Sequence, residues 1–164
     1  MDIDAAMLGL GSSPTAESLH SRGMIHGDLK GGAILDVNWR LSSLTPLSLQ
    51  ANILIDQSGH ACLADFGCLT TVSDPTGPTP SSSVLNAGTT RWMSSELLHP
   101  EEFGFKDSRP TRESDCYALG MVILEVLSGR APFALYKDVV VMCKVIEGEP
   151  PERPNRAWFT DDLC

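Results

Sequence analysis

The 164-residue chain has no run of basic residues: its 12 Lys and Arg are scattered among 21 Asp and Glu, for a net charge of −9 at neutral pH. A nucleic-acid or anionic-membrane surface needs clustered cations that release counterions, so neither partner is expected. Paired cysteine spacing is also missing. The five cysteines (Cys62, Cys68, Cys116, Cys143 and Cys164) are odd in number and contain no Cys-x-x-Cys. That argues against a disulfide framework or a zinc site and fits a reducing, cytoplasmic setting. No basic stretch followed by an apolar core opens the sequence, so no signal peptide is expected. The most apolar stretch, Tyr117 to Leu127, carries Glu125 and falls well short of the roughly 20 residues that span a bilayer. What remains is a 42% hydrophobic composition suited to one globular domain.

Residues 1–16 hold Gly9, Gly11, Ser12, Ser13 and Pro14 without a sustained period, and read mostly as loop. Glu17 to Arg22 reads as a helix end stopped by Gly23. Ile53 to Ile55 and His60 to Ala64 are short apolar runs separated by Asp56-Gln57-Ser58-Gly59, the punctuation of a hairpin. Thr70 to Ser83 contains Pro75, Pro78 and Pro80 and reads as an exposed loop without regular structure. A short helix is expected over Ser94 to Leu98. The strongest helix spans Ser114 to Leu127, where Leu119, Val122, Ile123, Val126 and Leu127 follow 3.6-residue spacing and Gly129 is placed for a C-cap. Lys137 to Glu147 reads as a further amphipathic helix. The fold class expected is therefore mainly α with a small β-hairpin element.

Certain residues are of the types that phosphoryl transfer requires. That chemistry needs a carboxylate near the acceptor hydroxyl, hard-oxygen metal ligands, and a cation for the transferring group. Asp28, Asn52, Asp65 and Lys30 fit those needs. Singly, each has a plainer reading as a turn cap, an Asx turn or a solvated surface charge. Order and spacing favour the chemistry: His26-Gly27-Asp28-Leu29-Lys30, then Asn52, then thirteen positions later Asp65-Phe66-Gly67, then Gly88-Thr89-x-Arg91-Trp92-Met93-x-x-Glu96, then Asp115-x-Tyr117-x-x-Gly120.

Taken in order, these five motifs resemble the C-lobe of a protein kinase catalytic domain over roughly Leu19 to Pro154. The Gly-Thr-x-Arg-Trp-Met pattern resembles the tyrosine-kinase-like group, and HGDLK with ANIL resembles its fungal members. The resemblance implies a set of roles. Asp28 would be the catalytic base and Lys30 would contact the γ-phosphate of ATP. Asp65 and Asn52 would hold Mg2+, and Leu54 would floor the adenine pocket. Thr89 would tie the substrate loop to Asp28 and Lys30, while Asp115 would hold the backbone of the His26 turn. His26, Phe66, Gly67 and Glu96 would be structural. Residues 65–96 would form the activation segment, and Lys30 favours Ser/Thr acceptors in a protein substrate.

The sequence also departs from that family. Gly27 replaces the usual arginine, so no phosphorylation switch through residue 27 is expected. Ser95 stands where the family has proline. No glycine-rich phosphate-covering loop or Val-Ala-x-Lys strand is present, and the arginine that normally pairs with Glu96 is missing. The chain therefore reads as a single partial domain without the N-lobe and the last C-lobe helices, and is expected to be inactive alone. The alternative is a non-catalytic, pseudokinase-like interaction module or the product of a degraded gene.

Between Gly32 and Gln50 lies a stretch without family character. Its removal fuses the flanks into HGDLKGANILID. It reads as translated intron, with a genuine surface insertion as the alternative. Lengthening the Asp28 to Asn52 interval from 5 to 24 positions adds only about 1.4 kcal/mol of loop-closure entropy. Misplacement of the site by about 1 Å would lower rate on the order of a hundredfold. The site is therefore expected to survive only if residues 32–50 loop out cleanly.

Overall fold

In the computed structural model, residues 16–31, 52–55, 61–65, 68, 70–71 and 89–154 are described. The first element is α1 (Ala16–Ser21), whose Leu19 is fully buried. It leads through Gly23 into β1 (Met24–Ile25). The strands β2 (Ile53–Ile55) and β3 (Ala61–Leu63) pair antiparallel, with Ile53 opposite Leu63 and Ile55 opposite Ala61. These are the two strands of the expected hairpin. Residues 1–15, the 32–50 insertion, Phe66, Gly67 and most of the 65–96 segment lie outside the described residues.

Two strands, β1 and the one that pairs with it, were not expected. Thr70 and Thr71, read from sequence as the start of an irregular loop, form β4 (Thr70–Thr71), which pairs antiparallel with β1 in the register Met24 to Thr71 and Ile25 to Thr70. Two-residue strands carry no period to read. Their pairing is decided by a partner more than forty positions away.

Helical structure dominates the rest. A 3₁₀ turn covers Thr90–Trp92, followed by α2 (Ser95–Leu98) and a second 3₁₀ turn over Pro100–Phe103. Next comes α3 (Arg112–Ser128), and then α4 (Asp138–Ile146). The start of α3 lies two residues before the expected Ser114, because Thr111 is the cap. Its Oγ1 accepts from Ser114 N at 3.1 Å, while Ser114 Oγ accepts from Thr111 N at 2.8 Å, a reciprocal capping box. Gly129, left-handed at φ 71, closes the helix as expected.

The face that α3 buries differs from the sequence expectation. Ala118, Met121, Val122 and Glu125 point inward, while Ile123 and Val126 are about half exposed. The helix is apolar on nearly every side, so 3.6-residue spacing selects no unique face. Neighbouring elements choose it. Met121 and Val122 join Leu19, Leu29, Ile53, Trp92, Phe133 and Val141 in one core, each large apolar side chain contributing roughly 1.5–3 kcal/mol. Leu29 and Ile53, from either side of the insertion, belong to the same core.

Candidate active site

The His26–Asp28 turn is suspended from α3. Asp115, nearly fully buried in the first turn of that helix, accepts from His26 N through Oδ2 and from Gly27 N through Oδ1, both at 2.9 Å. His20 Nε2 on α1 donates to the same Oδ2 at 2.9 Å. Three donors thus satisfy a carboxylate whose isolation in the core would be costly. Gly27 sits at φ +79, and a Cβ there would press on the Pro110 ring and the Cys68 carbonyl at 3.0–3.1 Å. A side chain at position 27 would be strained on both counts. His26, fully buried, accepts from Asp28 N at Nδ1 (3.4 Å) and donates from Nε2 to the Ala64 carbonyl (3.0 Å). The partners therefore assign the proton to Nε2. Through this ring the turn is tied to the residue preceding Asp65.

Asp28, Lys30 and Asn52 meet in one cluster. Lys30 Nζ donates to Asp28 Oδ2 at 2.9 Å. Asn52 Nδ2 donates to Asp28 Oδ2 at 2.9 Å and to the Asp28 carbonyl at 2.6 Å. The Asn52 amide donates to the Lys30 carbonyl at 3.3 Å, so the chain leaves after Gly31 and re-enters at hydrogen-bonding distance. The flanks of the insertion are thereby closed on each other. No hydrogen bond among the described residues reaches Asp28 Oδ1, which is left for an incoming donor.

Asp65 is exposed and adopts φ 57, a left-handed conformation that Asp tolerates better than bulkier residues. Its carboxylate shares a neighbourhood with Asp28 and Lys30, as Cys68 reports. Burial pushes the Cys68 thiol up, Asp28 and Asp65 push it further, and Lys30 opposes them. Leu54 lies in the middle of β2, opposite Cys62. Thr89 lines a cleft with Asp28, Trp92, Met93, Ser108 and Pro110. Its carbonyl accepts from Trp92 N at 3.0 Å to start the 3₁₀ turn. Glu96, half-buried on α2, has no cation against it among the described residues. It lies close enough to Tyr117 to add to the burial that pushes that phenol up to about 12.

Three residues with clear positions here had no role in the sequence reading. His20 has been described. Glu125, buried in α3, accepts from Trp92 Nε1 at 3.2 Å and abuts Gly31 so closely that a Cβ there would overlap Oε2. A carboxylate within the otherwise apolar stretch 117–127 was the available signal, since such groups are buried only with partners. Arg91 is held by four acceptors in the 132–138 region. Its place inside the Gly-Thr-x-Arg-Trp-Met motif was visible, but its partners were not.

The donors suit a nucleotide with Mg2+. Asn52 commits Nδ2 to Asp28 and would offer its Oδ1; Asp65 would offer an exposed carboxylate. Hard oxygens completed by phosphate and water are what Mg2+ takes. Among the described residues no group of three or more His, Cys, Asp or Glu side chains could hold an ion unaided.

A family model described as the protein kinase domain matches residues 50–156. The chain belongs to the protein kinase family. Its mainly helical architecture with small antiparallel strand pairs is that of a kinase C-lobe. This kinase chain is 30% identical over 132 residues to the serine/threonine-protein kinase fray2 of Dictyostelium discoideum, covering 80% of the chain and 10% of that protein. Against protein kinase C zeta type of Oryctolagus cuniculus it is 32% identical over 120 residues, 73% of the chain and 15% of the relative. Against cytokinesis protein sepH of Aspergillus niger the identity is 30% over 139 residues, 85% and 8% respectively. The kinase chain thus spans 15% or less of the length of each of these relatives. A 139-residue match in 164 residues must begin at or before residue 26, so the sepH similarity includes the His26-Gly27-Asp28 turn. Among the described residues no helix is long and apolar enough to cross a membrane.

Proposed function

We propose that the site serves Mg2+-dependent transfer of the ATP γ-phosphoryl group to Ser or Thr hydroxyls of a protein, in a cytoplasmic setting. The observation that carries this reading is the convergence of Asp28, Lys30 and Asn52 across the 24 positions that separate the first and last. Asp28 takes the acceptor proton on Oδ1 while Lys30 and Asn52 fix Oδ2, so the carboxylate cannot rotate away. The acceptor oxygen bonds to phosphorus as the bond to the β-phosphate oxygen breaks, and the departing ADP carries that electron pair. Mg2+, when bound at Asn52 and Asp65, supplies charge neutralisation for the phosphates. Lys30 steadies the γ-phosphate, and Leu54 provides the apolar floor for adenine. Thr89 walls the acceptor cleft, and Asp115 holds the turn that aims Asp28. Phe66, Gly67 and Glu96 keep supporting roles. Gly88-Thr89-x-Arg91-Trp92-Met93 supports the tyrosine-kinase-like group, and HGDLK with ANIL supports a fungal type.

A second reading is a non-catalytic interaction module. Calorimetry of the chain with ATP and Mg2+ separates the two. Binding tighter than millimolar that is lost in Asp65→Asn supports the catalytic site. Binding absent in both proteins supports the module.

A further inference from the structure

We infer that Arg91 is a positioning residue for the phosphoacceptor, holding the Thr89–Met93 wall of the cleft at a set distance from Asp28. This rests on the phosphotransfer reading above. Arg91 Nη1 donates to the carbonyls of Pro132 (3.0 Å) and Phe133 (2.7 Å), and Nη2 donates to the Tyr136 carbonyl (2.7 Å) and to Asp138 Oδ1 (2.8 Å). The side chain is only 17% exposed. Three of the four acceptors are neutral carbonyls, so this is not a surface ion pair of negligible worth. A planar fork with five N–H donors can serve all four acceptors, and a lysine ammonium with three cannot.

The receiving loop bears a mark of its own. Phe133, almost fully buried, sits at φ +54, a conformation that a bulky residue holds only when its surroundings impose it. Its carbonyl takes both Arg91 Nη1 and Tyr136 N, the latter at 2.9 Å. At the other side of the same turn, Trp92 Nε1 is bonded to Glu125, which lies against Gly31 beneath the catalytic loop. The cleft wall is therefore pinned at two points, to α3 through Trp92 and to the start of α4 through Arg91. Thr89, Trp92 and Met93 border the same small cavity as Asp28, so loosening one pin would change the distance of that segment from Asp28. Nothing in the nucleotide-side cluster of Asp28, Lys30 and Asn52 depends on Arg91.

The experiment compares the full chain with Arg91→Lys and Arg91→Ala, using a Ser/Thr peptide mixture as acceptor and hydrogen exchange as a second readout. Arg91→Lys is expected to raise the acceptor KM about tenfold, with the ATP KM and kcat within about twofold. Exchange should quicken at the Trp92 and Met93 amides and stay unchanged at the His26 and Gly27 amides. Equal losses in kcat and both KM values, or exchange that rises throughout the chain or nowhere, would overturn the inference. If the unmodified chain transfers no phosphate, the phosphotransfer reading fails on its own. The acceptor-positioning role of Arg91 then falls with it, and localised exchange in Arg91→Lys shows only that Arg91 holds the Thr89–Met93 segment, while uniform or unchanged exchange rejects that too. Arg91→Lys remains informative if Arg91→Ala fails to fold.

Discussion

Asn52 donates through Nδ2 to both the carbonyl and the carboxylate of Asp28, at 2.6 and 2.9 Å, across a 24-position separation. The amide is 2% exposed, so nothing but Asp28 takes its place in binding those donors. Asn52→Ala should lower stability by about 1–3 kcal/mol through the Asp28 carbonyl left without its donor, read as a shift in urea midpoint at constant slope. A midpoint unchanged from the parent would mean that the two residues are not joined in solution.

The closure of Lys30 on Asn52 leads to an expectation for the insertion. Joining Gly31 to Ala51, with residues 32–50 deleted, should leave the fold intact and raise stability by up to about 1.4 kcal/mol through the shorter loop. Loss of cooperative unfolding in the deletion variant would show that residues 32–50 carry structure the rest needs. Sequencing the transcript between the codons for Lys30 and Asn52 addresses origin separately: a message that always contains the segment, without intron borders, rejects the translated-intron reading.

Asp115 serves His20 and two backbone amides. Asp115→Ala should cost about 1–3 kcal/mol for each of the amides of His26 and Gly27 left without an acceptor. Asp115→Asn keeps one acceptor oxygen and should cost less. Urea denaturation ranks the two; an asparagine variant as damaged as the alanine one would place the effect in the lost charge opposite His20 instead.

Cys68 should alkylate more slowly at pH 8 than the exposed Cys116 and Cys143, since burial, Asp28 and Asp65 all favour its protonated form and the thiolate is the reactive species. Asp28→Asn removes one of those carboxylates and should speed labelling of Cys68 alone. Mass mapping after a short iodoacetamide pulse checks both. Fastest labelling at Cys68 in the parent chain would contradict the described neighbourhood.

Tyr117 links the fold to alkaline pH. Burial, aided by Glu96, raises its phenol from 10.0 to about 12, so the folded chain holds that proton more tightly than the unfolded chain. The associated stability is fully present below pH 10 and is lost as pH rises toward 12. Tyr117→Phe should flatten the dependence of the urea midpoint on pH across that interval relative to the parent. Parallel curves for the two proteins would exclude Tyr117 as the source.

Local signals were legible along the chain itself. Gly129 ends α3 and β2 and β3 fall within the two apolar runs, because caps and short apolar runs depend on residues within a few positions. The order of His26-Gly27-Asp28, Asn52 and Asp65 was enough to indicate the kinase family, since motif spacing survives apart from one insertion. Tertiary structure decided the rest. It chose Ala118, Met121, Val122 and Glu125 as the inner face of a helix with apolar residues on nearly every side, paired Met24–Ile25 with Thr70–Thr71, and seated Arg91 on four acceptors more than forty positions away. It also brought Asn52 back to Lys30 and Asp28. Each of these is a contact between distant segments, and a linear pattern carries no information on which distant partner will fill a buried face or accept a buried donor.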